Sequence, residues 1–228
     1  GGCSPEGRVN YLARVAWWRS GDRDVCSRDE MMGACDVEDV KPNPARVEQK
    51  RGGAISADHI GRRAADDFGG RSVPYLIAGG ALPVEPTEAQ LDTVHRAVPL
   101  VQSRITVLSE VVGMLGFLFV SSDAVAYDPD ALASLKGDAS AVLTAGEEAL
   151  TAVPETEWET ERIQAALQVA LIDELGLKPR LAYGPLRVAA SGRRVSPPLF
   201  ESFELLGRDE TLAPLARLRA HLDQPPEG

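Results

Sequence analysis

The chain has 228 residues, 44% of them hydrophobic and 25% charged, which gives room for one large domain or two small ones with apolar cores. Its longest uninterrupted apolar run, Val111 to Val120, is about half of the roughly 20 residues that a bilayer span requires, and reads as a buried helix end. The formal net charge of -10 excludes a protein that coats nucleic acid without selectivity, because such affinity comes from phosphate neutralisation by Lys and Arg.

Gly1-Gly-Cys-Ser-Pro-Glu carries neither the basic nor the apolar region of a secretory leader, so a cytoplasmic chain is expected. Position 1 is not Met, and the residues up to Trp17 resemble the interior of a protein, which favours a reading frame that begins upstream. From Pro5, a residue suited to a first helical turn, Val9, Leu12, Val15 and Ala16 recur at helical spacing and predict a helix. Ser27-Arg-Asp-Glu is a capping box that starts a second, short helix before Met31 and Met32. The rest of this stretch, to Ala81, is rich in Gly, Arg and Asp.

Thr87-Glu-Ala-Gln is another capping box. After it Leu91, Val94, Val98, Val101, Ile105, Leu108 and Val112 fall three and four apart, which predicts one long helix with a bend at Pro99. Asp128-Pro-Asp supplies an N-cap and an N1 proline for the next helix, and another begins after Val153-Pro154. Ile163, Ala166, Leu167, Ala170, Leu171 and Leu175 make a second stripe, stopped at Gly176. A basic loop follows, and then Ser196-Pro-Pro-Leu-Phe starts a helix that Gly207 stops. Gln224-Pro-Pro-Glu-Gly is expected to fray. Alternating strand patterns are nearly absent from Ala81 onward, so the chain is all-α. A smaller, mainly helical segment 1–81 precedes two helical bundles, 82–153 and 154–228.

Cys3, Cys26 and Cys35 are too few and too irregular for a zinc site or a disulfide framework, and read as reduced thiols. His59, His95 and His221 are isolated, so no metal, cofactor or catalytic site is expected in this chain. Trp17, Trp18 and Trp158 read as packing anchors, and the Glu147-Glu148 and Glu155 to Glu161 clusters as solvated helix faces. One stretch differs. Between Leu177 and Phe200 stand Lys178, Arg180, Arg187, Arg193 and Arg194 with no acid, a basic island on an acidic body that suits docking of one RNA shape.

Several runs are landmarks in one order: Pro5-Glu-Gly-Arg-Val-Asn-Tyr-Leu-Ala, Asn43-Pro-Ala-Arg-Val-Glu-Gln-Lys, Leu100-Val-Gln-Ser-Arg-Ile-Thr-Val-Leu, Trp158-Glu-Thr-Glu-Arg-Ile, and Gly184-Pro-Leu-Arg through Ser196-Pro-Pro-Leu-Phe to Gly207. Together they resemble the C-terminal stem-contact and anticodon-binding region of bacterial glutamyl-tRNA synthetase. Ala16-Trp17-Trp18 departs from that family's Gly-Trp-Ser, and Arg51-Gly-Gly-Ala is looser than its apolar helix. Asp58-His-Ile-Gly-Arg lacks the second His of the class I His-Ile-Gly-His motif, and the Lys-rich loop is missing. The resemblance therefore implies a chain that cannot form an aminoacyl-adenylate by itself; ATP and Mg²⁺ belong to the absent N-terminal catalytic domain.

The implied partners are tRNA(Glu) and that catalytic domain, with no membrane and no DNA, and a monomer is expected. The resemblance puts Arg104 where the family reads the third anticodon letter, favouring C over G, and Arg187 at a second position near the anticodon. Ser196, Pro197 and Leu199 match residues around the first anticodon base. Unpaired bases are read by splaying, stacking and edge bonding, which an Arg fork performs and Lys does not. For Lys178, Arg180, Arg193 and Arg194, phosphate contact is expected. Each has a bland alternative: a surface arginine for Arg104, an N-cap for Ser196, packing for Pro197 and Leu199, a solvated face for the others. A freestanding paralog that binds tRNA for another purpose, and a helical protein-interaction module, stay open as alternatives.

Overall fold

The computed structural model describes residues 3–17, 25–34 and 49–224; every regular element among them is helical. The chain divides into two units, 1–113 and 114–228. Trp18, Cys35 and residues 43–48 of the Asn43 landmark lie outside the described residues, as do residues 225–228 and the side chain of Trp17.

In the first unit, α1 (Pro5–Trp17) packs on α3 (Gln49–Gly61) and α4 (Ala65–Ala78) on α5 (Glu88–Val101), with the short α2 (Arg28–Ala34) beside α1. The face that α1 buries is not its apolar stripe. Val9, Leu12 and Val15 are 52%, 58% and 38% exposed, whereas Ser4, Asn10 and Tyr11 are buried. Close approach is the reason: a Cβ on Gly7 would stand 3.0 Å from the Ser56 Cα, so only small or hydrogen-bonded residues fit the α1–α3 seam. The Ser4 amide donates to Ser56 Oγ at 3.3 Å, and Asn10 Oδ1 accepts the Cys26 amide at 2.7 Å. Asn10 Oδ1 also meets His59 Nε2 at 3.1 Å. Burial holds the His59 imidazole below its ordinary pKa, with Nε2 facing the Asn10 side chain. Asp58-His-Ile-Gly-Arg is thus part of a helix seam.

Both capping boxes form. Ser27 and Glu30 exchange bonds at 2.7 and 3.2 Å, and Thr87 and Gln90 at 2.9 and 3.2 Å. The single long helix does not. α5 stops at Val101 and α6 starts only at Glu110, running to Leu115. Ile105 and Leu108 are 4% and 3% exposed, so a turn buries the same apolar set that a helix would. The Gln102 side-chain amide donates to the Ile60 and Arg63 carbonyls at 2.8 and 2.9 Å, satisfying the open end of α3, and the Glu110 carboxylate accepts the Thr106 amide at 2.7 Å. Periodicity reports which residues are inside, not whether the backbone between them is straight.

An ionic cluster ties α1 to α4. Arg63 pairs with both Glu6 and Asp67, and Arg71 reaches Asp67 at 3.0 Å and Glu6 at 3.4 Å. Burial pushes the Glu6 carboxyl up, but the Arg63 hydrogen bond and the two guanidinium charges outweigh it and hold the group below 4.5. The bonds from Arg63 and Arg71 hold Asp67 below 3.8. Depressed carboxyl pKa values mean stabilisation that is present above the unfolded-state values and lost as pH falls through the folded ones. Arg63→Met is therefore expected to lower the stability of the chain at neutral pH, and by progressively less as the pH drops below about 4. Denaturant titrations of both proteins from pH 7 to pH 3 check this; a constant difference would discount the cluster.

The second unit comprises α7 (Pro129–Ala133), α8 (Ala139–Thr151), α9 (Thr160–Leu167), α10 (Pro179–Ser191), α11 (Leu199–Leu206) and α12 (Arg208–Leu222). α8 packs against both α12 and α10, and α9 against α11. Leu143, Leu150, Ile163, Leu167, Leu171, Leu186, Phe203 and Leu215 are fully buried in their common core. A 3₁₀ turn, Glu155–Glu157, starts directly after Val153-Pro154, and α9 follows at Thr160. Its N-cap residue Glu159 makes no side-chain bond; instead Glu204 of α11 accepts the Thr160 amide at 2.8 Å and hydroxyl at 2.6 Å. The Trp158 indole donates to the Phe203 carbonyl at 2.8 Å, so this tryptophan anchors a helix start.

α9 continues as a π-helical segment, Gln168–Glu174. The wider π turn carries Leu175 off the stripe, leaving it 50% exposed. Gly176 then ends the run with φ +65°. No helix among the described residues is long and apolar enough to cross a membrane.

Candidate functional site

Much of the basic stretch after Gly176 is a helix, α10, rather than a loop, with Arg193 and Arg194 in the turn that follows it. Pro179 occupies the first turn, where no amide partner is lost, with Lys178 as N-cap. Gly184-Pro185 reads as a breaker, since an interior proline removes one helical bond at a cost of about 3 kcal/mol. Burial offsets it: Ala182, Leu186 and Ala189 are fully buried and Val188 nearly so. α10 ends at Gly192, in the left-handed region at φ +69°, whose amide donates to the Val188 carbonyl at 2.8 Å. The Gly192 carbonyl accepts the Asp128 amide at 2.8 Å, pinning the segment before α7 to this turn.

This turn presents Arg187. The Ser191 hydroxyl donates to the Arg187 carbonyl at 2.8 Å. Arg187 Nε donates to Ser196 Oγ at 3.0 Å, and that hydroxyl donates in turn to the Pro197 carbonyl at 3.0 Å. Ser196 is 7% exposed and does not cap α11, whose N-cap is Pro198; its hydroxyl is committed to fixing the plane of the guanidinium. Pro197 is buried, and Leu199, 5% exposed, belongs to the core with Phe203.

Beside Arg187 opens a pocket of about 170 Å³, between α10 and the turn joining α7 to α8. Lys136, Arg180, Arg187 and Arg194 line it, and no acid does. Leu135, Leu181, Pro185 and Val188 give it apolar walls. Lys136, Arg180 and Arg194 have no ion-pair partner among the described residues, so no paired carboxylate offsets their charge beside the pocket.

Of the residues expected to contact RNA, the fold brings together Arg180, Arg187, Arg194 and Ser196. Lys178 is exposed at the start of α10. Arg193 is exposed but faces Asp128 at 3.7 Å, which offsets part of its charge. Arg104 belongs to the first unit; it is exposed in the turn after α5, where its amide donates to the Val101 carbonyl at 2.8 Å. Lys136 and Ser134 line the pocket without having been singled out in the sequence, and Gly184, the head of a landmark run, lines it too. A signal existed: Lys136 and Lys178 are the only lysines beyond residue 50.

A family model described as an anticodon binding domain matches residues 69–222. The chain is 53% identical over 221 residues to a glutamate–tRNA ligase of Leifsonia xyli subsp. xyli, covering 97% of this chain and 45% of that relative. It is 50% identical over 223 residues to a glutamate–tRNA ligase of Clavibacter sepedonicus, covering 98% of this chain and 44% of the relative. In fold it is similar to a solved glutamate tRNA ligase from Elizabethkingia meningosepticum, with a TM-score of 0.77 at 18% identity over 97% of this chain and 42% of that one. The chain thus spans less than half the length of the relatives it matches.

Proposed function

Because the chain belongs to the anticodon binding domain family, we propose that it is the C-terminal, tRNA-selecting part of a glutamate–tRNA ligase. Its role is to recognise the anticodon loop of tRNA(Glu), so that the acceptor end enters an active site on a separate catalytic domain. ATP and Mg²⁺ act in that domain, where glutamate is joined to the tRNA. Among the described residues of this chain no three His, Cys, Asp or Glu side chains gather where a metal ion could be held. The protein works in the cytoplasm as a monomer, without membrane or DNA.

The observation that carries this reading is the Arg187–Ser196 bond beside the basic pocket. A guanidinium already fixed in plane loses little entropy when it meets a base edge or phosphate. Arg104, exposed on a turn, suits reading of a second base, and Lys178, Arg180 and Arg194 suit phosphates. Ser196 acts by positioning Arg187, with Pro197 and Leu199 packed behind.

The test is binding of the chain to tRNA(Glu) and tRNA(Gln) across a salt series. Affinity should fall with a log–log slope of about -0.7 per phosphate contacted in single-stranded RNA. Arg104→Ala should narrow the preference for tRNA(Glu), by about 1–3 kcal/mol if the contact is bidentate. Equal, salt-independent behaviour toward both tRNAs would leave a protein-interaction module instead.

A further inference from the structure

We propose that Arg217 is a positioning residue for RNA binding: from α12 it clamps the backbone of residues 125–128 against the Gly192 turn and so sets the geometry of Arg187. This rests on the anticodon-binding reading and extends it to a residue outside the basic stretch and outside the pocket.

The clamp is built from two bonds that diverge from one guanidinium. Nη2 donates to the Val125 carbonyl at 2.8 Å and Nε to the Tyr127 hydroxyl at 3.0 Å, with the guanidinium carbon 4.7 Å from the centre of the Tyr127 ring. His221, one turn further along α12, sets its own ring 5.9 Å from that of Tyr127. Upstream, the Ser122 amide donates to Glu210 at 3.3 Å, a further tie to α12. Residues 125–128 belong to no helix, so bonds of this kind decide where their backbone lies.

The clamped backbone rests directly on the turn that ends α10. The Asp128 amide donates to the Gly192 carbonyl at 2.8 Å, and the Ala126 carbonyl approaches so closely that a Cβ on Gly192 would stand 2.0 Å from its oxygen. In such close packing a small shift on one side displaces the other. From Gly192 the path is short: the Ser191 hydroxyl accepts the Arg193 amide at 3.2 Å and donates to the Arg187 carbonyl at 2.8 Å.

Burial alone does not call for an arginine here. Leu215 and Leu218 of the same helix are fully buried, whereas Arg217 is half-buried, and a methionine would cover similar surface. The fork supplies direction instead: it fixes one carbonyl and one hydroxyl at once from a rigid plane.

The experiment titrates a fluorescently labelled RNA hairpin carrying the glutamate anticodon loop with the full chain, at a temperature where unfolding curves show each variant folded. Arg217→Met should weaken binding about threefold to thirtyfold, with an unchanged salt slope. Tyr127→Phe keeps the ring and removes one of the two bonds; it should give a smaller loss in the same direction, and it decides alone if Arg217→Met does not fold. In an Arg187→Ala background, Arg217→Met should cost less than in the native chain. A merely structural arginine would lower the thermal midpoint and leave the affinity of the folded chain as it was. If both variants bind as the native chain does, or if their losses add to that of Arg187→Ala, while Arg187→Ala itself weakens binding, the clamp is overturned and the anticodon reading stands. A salt slope flattened by Arg217→Met would make Arg217 a phosphate contact and overturn the clamp as well. If the native chain binds no hairpin, both fall.

Discussion

Gly192→Ala is expected to destabilise the second unit by more than about 3 kcal/mol, among the largest losses a single methyl can cause. Two costs combine. A non-glycine residue in the left-handed region pays about 1–2 kcal/mol, and Gly192 sits there at φ +69°. A Cβ at that position would also stand 2.0 Å from the Ala126 carbonyl oxygen, which is backbone and cannot rotate away. Relief requires lifting the 125–128 segment, and with it the Asp128 amide bond to the Gly192 carbonyl. That segment is also held by Arg217, which donates to the Val125 carbonyl at 2.8 Å and the Tyr127 hydroxyl at 3.0 Å, so the strain spreads to α12.

Gly137→Ala is the control. It has the same backbone sign, φ +71°, but open space around the added methyl, so it should cost only about 1 kcal/mol. Denaturant unfolding of the three proteins measures the difference. Equal losses would mean that the contact with residue 126 contributes nothing.

The helical nature of the chain was legible because local chemistry repeats itself. Two capping boxes and the stripe from Ile163 through Leu171 correspond to helix starts and a buried face. Legibility failed where tertiary packing overrode a local rule. α1 hides a polar, small-residue seam and exposes its valines, because α3 approaches too closely for side chains at Gly7. α10 runs through Gly184-Pro185 because the apolar face beneath is buried on α8 and α12. α12 went unread for a related reason: Pro214 stands inside it, and charged residues are interspersed among its leucines. At the candidate site the charges were visible as an acid-free run, but not that Lys136, some forty residues earlier, closes the same pocket.

Arg187→Ala is expected to weaken binding of the anticodon hairpin by about 1–3 kcal/mol, about fivefold to more than a hundredfold. Ser196→Ala should retain the charge and lose its orientation, for about 1 kcal/mol of affinity and an unchanged salt slope. The two effects share one bond, Nε to Oγ at 3.0 Å, so they should not add. The double variant should bind no worse than Arg187→Ala alone, because without the guanidinium the hydroxyl has nothing to position. Arg187→Lys should behave more like the alanine variant than like the native chain, since an ammonium has no plane for Ser196 to fix. Strict additivity in this cycle would mean that Ser196 touches RNA in its own right, and a native-like Arg187→Lys would reduce Arg187 to a phosphate counter-charge.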